Sequence, residues 1–478
     1  MAKNREKQLI KNTLIVAIGK ISTQFISFFL LPLYTSVLSA KEFGIVDLLN
    51  TYVTLLLPLV FLQIDQSIFR YLIDARNNDN EKQKLITTTL IAVSIQSLVF
   101  LILFFVVSPF INNNYKYFLV LNVIASMYST VMLQISRGLG DNMTYSLGCL
   151  ITGTGTILLN IVLIVFLHFG AYGMLIASFS ANILSSLFIF LKLNILKYIK
   201  YKTYSFTTIK KMLKFSVPLI PNHLSWWIIN ASDRTIITYI LGIGSNGIYS
   251  AANKFSSICI SLFGIFNITW SESASLYIKD KDSSEYFSKI INDSIRMFTA
   301  LCIGIIAIMP FSFNLLITGN EYSSAYYQIP ILLIATIFNI TVSLFGSIYI
   351  ALKKTNEIAK TSIYAAIINI LINLLLIKHI DLYAASLSTL IAYLTMAIYR
   401  YRDIQKYIKI KIDKKFIIVS ILLLLIILKL YYLKNIFLCT IGLFAIIIYS
   451  IYFNKKILII IVKKLKINCI NIKSSMYL

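Results

Sequence analysis

The sequence predicts an all-α integral membrane protein with about fourteen transmembrane helices: two parallel six-helix halves around a central cavity, plus two helices at the carboxyl end. Three observations lead to this class: the composition, the distribution of basic residues and an internal repeat. Hydrophobic residues make up 58% of the 478 positions and charged residues 13%, whereas soluble proteins have roughly 45–50% and about 25%. So few charges do not cover a water-exposed surface of this size, and the chain is therefore expected in a bilayer.

Fourteen segments are long and apolar enough to cross a hydrocarbon core of about 30 Å, which takes about 20 helical residues. The first twelve are 13–37, 44–68, 85–108, 117–136, 145–167, 171–191, 213–238, 247–270, 291–317, 328–351, 359–377 and 382–399. A last pair follows at 416–433 and 435–453. Because 44–68 and 213–238 contain charged residues, a count of thirteen that merges or drops one of them stays open.

The positions of Lys and Arg test the number of spans independently. With both termini on one side of the membrane, and with residues near a span end counted with the adjoining loop, 36 of the 44 basic residues fall on that side, five fall on the opposite side, and three lie deeper within spans. This bias follows the positive-inside rule and predicts cytoplasmic termini. Basic loops that face anionic lipid headgroups also account for the net charge of +25, so no nucleic-acid partner is needed.

The predicted domain organisation follows from the spans. It comprises an N-terminal six-helix half (1–191), a cytoplasmic linker (192–212), a C-terminal six-helix half (213–400), a helix pair (401–453) and a basic cytoplasmic tail (454–478). Residues 271–290 are predicted to form an amphipathic helix at the membrane interface. None of the extramembrane segments is long enough to fold as an independent catalytic domain.

An internal repeat relates the two halves at an offset of 203 residues. The matching pairs are Leu38/Leu241, Gly44/Gly247, Ile45/Ile248 and Asn50/Asn253. Residues 158–178 also resemble 370–389, with Asn160 opposite Asn373. Since each unit has an even number of spans, the two units have the same orientation. Parallel repeats of this kind are typical of transporters whose substrate site lies between the halves.

Polar residues form stripes on the first, second, seventh and eighth spans. In the second span, Asp47, Asn50, Thr54, Pro58 and Asp65 recur at helical spacing and are expected on one face. Such stripes predict a water-filled cavity that binds substrate. Its candidate residues are Lys20, Gln24, Asn222, Trp226, Asn230, Arg234, Asn253 and Lys254.

A charged side chain at the centre of a membrane helix costs roughly 2.5–3.5 kcal/mol on insertion scales, so it usually faces a cavity or a partner. Snorkelling to the headgroups is the alternative for Lys20. The carboxylates of Asp47, Asp65 and Asp233 are candidates for coupling to an ion or for pairing with the cations.

Sequence signals for catalysis or for a bound cofactor are lacking. There is no GxxxxGK[ST] motif, the three histidines are scattered, and the five cysteines have no CxxC spacing. Loops this short offer no site for paired carboxylates or for a Ser/His/Asp set. The chain is therefore predicted not to be an enzyme and to need no cofactor, with coupling to H⁺ or Na⁺ left open.

Two long stretches resemble bacterial polysaccharide biosynthesis flippases. They are IVAIGKISTQFISFFLLPLYTSVLSAKEFGIVDLL (15–49) and FSVPLIPNHLSWWIINASDRTIITYILGIGSNGIYSAANKF (215–255), and the loop ISRGLGDNMTYSLG (135–148) is similar as well. The resemblance covers roughly residues 10–400. It implies membership of the multidrug/oligosaccharidyl-lipid/polysaccharide exporter superfamily, whose members are fourteen-helix, V-shaped bundles.

The resemblance also implies a function, a location and partners. Such proteins move undecaprenyl-diphosphate-linked oligosaccharide repeat units across the bacterial inner membrane for O-antigen or capsule synthesis. The family's cationic cavity residues map onto Lys20, Arg234 and Lys254, which would hold the diphosphate. Alternating access would come from rocking one half against the other, and a polysaccharide polymerase and chain-length machinery are possible partners.

Three alternatives remain from the sequence alone. A drug or cation exporter of the same superfamily would more often have twelve spans and rely on buried carboxylates. A membrane polysaccharide polymerase or ligase should have a large outer loop with Arg or His. A flippase for peptidoglycan precursors is the third alternative, and these residues do not distinguish it from a flippase for polysaccharide repeat units.

Overall fold

The structure is a computed structural model, and it describes residue 28 and residues 30–110, 113–278 and 280–475. Over these residues the chain forms sixteen α-helices, and no β-strand occurs among them. The first eight are α1 (Leu31–Val37), α2 (Ala40–Phe61), α3 (Ile64–Asp74), α4 (Asp79–Val107), α5 (Lys116–Leu139), α6 (Asn142–Asn160), α7 (Gly170–Lys192) and α8 (Phe206–Ser216). The others are α9 (Ile220–Leu241), α10 (Ile243–Tyr277), α11 (Ser283–Leu316), α12 (Ala325–Ala351), α13 (Thr355–Ile380), α14 (Leu382–Ile404), α15 (Lys414–Leu433) and α16 (Ile436–Ser475).

Twelve helical segments in the described part of the chain are long and apolar enough to cross a membrane. They correspond to twelve of the predicted spans, and the predicted class of an all-α, multi-pass membrane protein is confirmed. Of the two remaining predicted spans, 13–37 lies mostly outside the described residues. The other, 213–238, contains α9, which is not among the twelve.

The predicted second span, 44–68, is not one continuous helix. Helix α2 ends at Phe61, Leu62 and Gln63 have positive φ angles of 52° and 55°, and α3 begins at Ile64. A left-handed residue cannot continue a right-handed helix, so the chain changes direction there. The expectation that Asp65 shares a helical face with the polar residues of α2 is therefore wrong.

The predicted interfacial helix at 271–290 is also wrong. Residues up to Tyr277 continue α10, and α11 begins at Ser283, so the segment is shared between two long helices. The amphipathic pattern of this segment belongs to the ends of these helices.

The chain divides into two compact units that do not coincide with the sequence repeat. The first consists of Met1–Ala251, Ile317–Ser323 and Asn373–Ala385, and the second of Ala252–Leu316, Ser324–Ile372 and Ser386–Leu478. Helices α1 to α9 and the first residues of α10 lie in the first unit. The predicted domain boundaries describe the repeat and stay a prediction.

In the first unit, a large apolar cluster joins α3, α4, α5, α7 and α8. Its fully buried members are Ile64, Ile68, Leu72, Ile86, Val93, Val123, Met127, Val131, Ile135, Ile189, Ile195 and Met212. The Ser67 hydroxyl donates to the Met212 carbonyl at 2.7 Å and fastens α8 to α3. Because lipid tails are as apolar as these side chains, close packing rather than removal from water holds such helices together.

The core of the second unit contains large aromatic side chains from α10, α11 and α12. Phe263 meets Phe298 edge to face, and Trp270 meets Phe287 in the same way. The indole nitrogen of Trp270 donates to the Leu344 carbonyl at 3.0 Å. A buried Trp N–H needs such a partner, so this bond fixes the contact between α10 and α12.

Contacts between helix ends in each unit join loops that the predicted topology places on the same side. Examples are the bonds Ala40 N to Glu321 Oε2 (2.8 Å), Arg76 Nε to Gly138 O (2.8 Å), Asn292 Nδ2 to Lys411 O (2.7 Å) and Lys434 Nζ to Tyr327 Oη (2.8 Å).

Candidate functional site

Local sequence signals position the start of α2, which carries the candidate residue Asp47. The segment SAKE forms a capping box: the Ser39 hydroxyl accepts from the Glu42 amide, and the Glu42 carboxylate accepts from the Ser39 amide. The Glu321 carboxylate then accepts from the Ala40 amide at 2.8 Å. These bonds satisfy amides that a helix start leaves unpaired, so the first turns of α2 are held firmly.

Two glycines let α2 cross the first turns of α10 at very short range. A Cβ atom on Gly44 would lie 2.1 Å from the carbonyl oxygen of Ile243, and one on Gly247 would lie 1.9 Å from that of Ala40. No side chain fits at either position. The Asn246 side chain also donates to the Gly44 carbonyl, at 3.0 Å.

One turn beyond this crossing, the carboxylate of Asp47 joins α2 to α9 and α10. Arg234 Nε donates to Asp47 Oδ2 at 2.7 Å, and the Ser250 hydroxyl donates to the same oxygen. The side chains of Arg234 and Asp47 are 13% and 17% exposed. The pair is therefore largely withdrawn from solvent, where an ion pair interacts more strongly than at a surface.

Asp233, the neighbour of Arg234 in sequence, is buried in its own set of hydrogen bonds. The Tyr249 hydroxyl donates to its Oδ2 at 3.1 Å, and Asn373 Nδ2 donates to its Oδ1 at 2.9 Å. Asp233 is 2% exposed, and its charge also acts on the Arg234 guanidinium. Asp47, Asp233 and Arg234 thus form a junction in which one carboxylate pairs with the guanidinium and a second acts on it electrostatically. We call these three residues, with Tyr249, Ser250 and Asn373, the junction cluster.

The tryptophans of α9, Trp226 and Trp227, lie about two turns before Asp233. Trp227 Nε1 donates to the Thr51 carbonyl of α2 at 3.0 Å, so its indole nitrogen is used within the protein. Trp226, the predicted candidate, is partly buried on the same helix.

The remaining predicted candidates lie on other stretches of the chain or outside the described residues. Lys20 and Gln24 lie outside the described residues, as do the side chains of Asn222 and Asn230. Asn253 and Lys254 are partly buried on α10 and belong to the second unit. Asp65 is buried on α3, where the side chain of Gln66 donates to it at 2.6 Å.

Three members of the junction cluster were not among the predicted site residues. Ser250 lies at the repeat position equivalent to Asp47, and Asn373 is the repeat partner of Asn160. Asn160 Nδ2 donates to the Tyr34 hydroxyl at 2.8 Å, so both asparagines fasten the fifth span of their repeat to a neighbouring polar group. The internal repeat was therefore the sequence signal that could have identified Ser250 and Asn373. No such signal pointed to Tyr249.

A second buried cation, Arg400, lies in the second unit. It lies one residue beyond the predicted span 382–399, at the start of a basic stretch, but it is only 1% exposed within α14. Its guanidinium donates to the Val342 carbonyl at 2.9 Å and, through Nε and Nη2, to the Thr361 hydroxyl at 3.0 and 2.9 Å. Arg400 thereby ties α14 to α12 and α13, and no carboxylate pairs with it among the residues described.

Comparison with known proteins places these observations in a family. Residues 9–271 match the family described as polysaccharide biosynthesis protein. No curated protein sequence matches the chain. The match covers more than half of the chain and includes α2, α9 and most of α10.

Solved structures with the same fold are transporters of low sequence identity. A structure of the lipid II flippase MurJ in an inward closed conformation is 16% identical, with a TM-score of 0.69 over 93% of this chain and 100% of that one. An inward-facing multidrug resistance MATE family transporter of the MOP superfamily is 13% identical, with a TM-score of 0.68 over 82% and 98%. An outward-facing member of the same MATE family is 14% identical, with a TM-score of 0.56 over 82% and 94%. The chain belongs to the polysaccharide biosynthesis protein family and has the fold of the MOP-superfamily transporters.

Proposed function

We propose that this protein is a flippase for undecaprenyl-diphosphate-linked oligosaccharide repeat units, used in the synthesis of O-antigen or capsule. Membership of a polysaccharide biosynthesis family supports the pathway. The fold shared with a lipid II flippase supports a lipid-linked substrate. In this role the protein moves its substrate across the membrane without changing a covalent bond.

The chemistry of the substrate explains why cations within the membrane are needed. A diphosphate cannot cross hydrocarbon unless its charge is compensated, because transfer of an isolated ion out of water costs tens of kcal/mol in the Born limit. In our proposal Lys20, Arg234 and Lys254 compensate this charge. The sugars contact the amides and the indole of the other candidates: Gln24, Asn222, Trp226, Asn230 and Asn253.

The contact between Arg234 and Asp47 is the observation that carries the proposal. A carboxylate and a phosphate present similar oxygen pairs to a guanidinium. Asp47 therefore binds the Arg234 guanidinium in the way that a phosphate oxygen would. Binding of substrate at Arg234 then requires Asp47 to release it. Protonation of Asp47 or Asp233, or binding of Na⁺ to them, would favour this release and couple transport to an ion.

The same exchange would open the crossing of α2 with α9 and α10. In the predicted topology this crossing lies towards the outer side of the membrane. Loss of the ion pair leaves the packing of Gly44 on Gly247 and the hydrogen bonds from Asn246 to Gly44 and from Trp227 to Thr51 to hold α2 against α10 and α9. Alternating access therefore involves breaking contacts between equivalent helices of the two repeats, as expected for parallel-repeat transporters.

The predicted setting is the bacterial inner membrane, with both termini in the cytoplasm. The substrate would come from the cytoplasmic leaflet, and a polysaccharide polymerase with its chain-length machinery would consume it on the other side. The excess of basic residues in the predicted cytoplasmic segments supports this orientation.

The decisive experiment is a deletion strain in which surface polysaccharide and the sidedness of lipid-linked repeat units are measured. We expect loss of the polymer, with undecaprenyl-linked units accumulating on the cytoplasmic side. Unpolymerised units on the outer face would indicate a polymerase instead, and normal polysaccharide with new drug sensitivity would indicate an exporter. Accumulation of peptidoglycan precursors would indicate a flippase for those precursors.

A further inference from the structure

A groove on the first unit is separate from the junction cluster and has an apolar wall. It encloses about 740 Å³ between α4, α5, α7 and the segment that follows α7. Its wall is formed by Leu90, Ile91, Ile95, Leu98, Met132, Ile183, Leu187 and Phe190, with Ile199 and Tyr201 at one end. Ile95, Leu98 and Leu187 are 52%, 58% and 50% exposed. Since α4 and α7 are candidate membrane spans, the groove opens towards lipid.

The hydroxyl groups of Ser94, Tyr128 and Ser186 in this wall form hydrogen bonds within the protein. Ser94 and Tyr128 share one of 3.0 Å, and Ser186 donates to the Asn182 carbonyl at 2.9 Å. The groove therefore presents hydrocarbon to its occupant. Buried polar groups that are already paired add little attraction for a polar ligand, which favours an alkyl chain.

One end of the groove is fastened to a strongly basic segment. The Thr87 hydroxyl donates to the Tyr198 carbonyl at 2.8 Å and accepts from the Lys200 amide at 3.1 Å. Residues 192–214 contain seven lysines and no acidic residue. Lys200 and Lys202 are exposed and alternate with the wall residues Ile199 and Tyr201.

Among the neighbouring acidic groups, Asp79 at the start of α4 pairs with Lys82 at 2.5 Å and also acts on Lys197. Its charge is therefore compensated mainly by these two lysines, and Lys200 and Lys202 supply the positive charge at the groove end. A phosphate headgroup next to these lysines is therefore attracted electrostatically.

The length of the groove matches one leaflet of a bilayer. Its wall on α4 runs from Thr87 to Leu98, which is about 16 Å at 1.5 Å per residue. Half of a hydrocarbon core of about 30 Å is about 15 Å. A phospholipid acyl chain fits this length, whereas a polyprenyl chain of 55 carbons is much longer than the groove.

From the apolar wall, the basic end and the length, we propose that this groove binds one anionic phospholipid of the leaflet that faces the 192–214 segment. Its acyl chains lie against α4 and α7, and its phosphate lies beside Lys200 and Lys202. The bound lipid fastens the basic segment, and with it α8, to the membrane surface. This site is independent of the transported substrate.

The test uses the full-length protein, stripped of lipid in detergent and titrated with phosphatidylglycerol or with phosphatidylcholine of the same acyl chains. Native mass spectrometry counts the bound lipids. We expect one phosphatidylglycerol to bind about tenfold more tightly than phosphatidylcholine. Lys200→Gln/Lys202→Gln should remove this preference. The control Lys409→Gln/Lys411→Gln, which removes two exposed lysines at the same spacing from the second unit, should keep it.

A second variant tests the groove without changing charge. Ser186→Phe places a bulky ring in the groove and should abolish the tight binding of phosphatidylglycerol. The control is Ser312→Phe on α11, where the serine also donates to the carbonyl four residues earlier. This variant should keep the tight binding. Equal loss in both lysine variants, no effect of Ser186→Phe, or equal binding of the two phospholipids would overturn the proposal. Displacement of phosphatidylglycerol by equimolar undecaprenyl phosphate would assign the groove to a polyprenyl chain instead.

Discussion

Gly44 and Gly247 lie against each other where α2 crosses α10, and they occupy equivalent positions in the two sequence repeats. A Cβ atom on either residue would lie 2.9 or 3.0 Å from the amide nitrogen of the other. The surrounding contacts are reciprocal: Gly44 faces the carbonyl of Ile243, and Gly247 faces that of Ala40, which is again an equivalent pair. Self-complementary contacts of this kind are typical of a two-fold axis, so this crossing marks the local axis between the first turns of the two helices.

Replacement of Gly247 by alanine should destabilise the protein strongly. The new methyl group would overlap the Ala40 carbonyl, whose helix is fixed by the capping box and by Glu321. Overpacking typically costs 1–3 kcal/mol. Because the atoms in the way are backbone atoms, which cannot move aside as a side chain can, we expect a loss of about 3 kcal/mol in unfolding free energy. Thermal unfolding in detergent measures the change. Gly244→Ala is the control, because open space surrounds that position, and an equal loss there would contradict the account.

Breaking the pair of Arg234 and Asp47 should affect both stability and transport. Removal of one member of a buried ion pair costs about 3–5 kcal/mol, so Arg234→Gln should lower the unfolding temperature and abolish transport of lipid-linked repeat units. Asp47→Asn keeps a hydrogen-bond acceptor for Arg234, so its loss of unfolding free energy should be smaller. Its transport should lose dependence on the coupling ion.

A double-mutant cycle separates the ion pair from other effects of these changes. We expect the double variant Asp47→Asn/Arg234→Gln to lose less stability than the two single variants together, because neither member of the pair is left as a charge without the other. Simple additivity of the two unfolding free energies would mean that the 2.7 Å contact carries no interaction energy.

Tyr249→Phe should cost about 1–3 kcal/mol of stability, because it leaves the buried carboxylate of Asp233 with one hydrogen bond fewer. The loss should couple to that of Asn373→Ala, since both donate to the same carboxylate. Tyr239→Phe on α9 is the matched control, because Tyr239 is 91% exposed. Equal unfolding temperatures for both tyrosine variants would mean that the hydrogen bond from Tyr249 to Asp233 does not stabilise the protein.

Arg400→Lys should destabilise the second unit although the charge is retained. A single ammonium cannot reach the Val342 carbonyl and the Thr361 hydroxyl in the geometry of the guanidinium fork. We expect a loss of about 3 kcal/mol or more in unfolding free energy, since a buried charge remains with fewer partners. Arg402→Lys, two residues along and exposed, should change the unfolding temperature little.

The stability of the second unit should fall in acid through Asp413, which precedes α15. Partial burial opposes ionisation of this carboxyl, but the Phe416 amide and the Arg296 guanidinium outweigh it and hold its pKa below the ordinary 3.8. A lowered folded pKa contributes stability that is present above 3.8 and is lost as the pH falls towards the folded value. Asp413→Asn should flatten the decline of unfolding temperature below pH 4, and an unchanged decline would contradict this role.

The sequence by itself determined the class of the protein, most of its spans and the positions of its repeat. Hydrophobic length and the bias of basic residues are local properties, because a bilayer has a set thickness and a charged inner surface. The offset of 203 residues paired Gly44 with Gly247. It also set Ser250 opposite Asp47, although it gave no sign that the two would touch.

Tertiary structure decided which charges meet. Asp47 and Arg234 are 187 residues apart and pair where α2 packs against α9, one turn from the close approach of α2 and α10 at the two glycines. Arg400 stands two residues before Arg402 and belongs to a basic run in sequence, but α14 turns its side chain between helices. The break at Leu62 and Gln63 carries no Gly or Pro at the turning residues. Packing imposes it, since long-range contacts can outweigh the small cost of a left-handed residue.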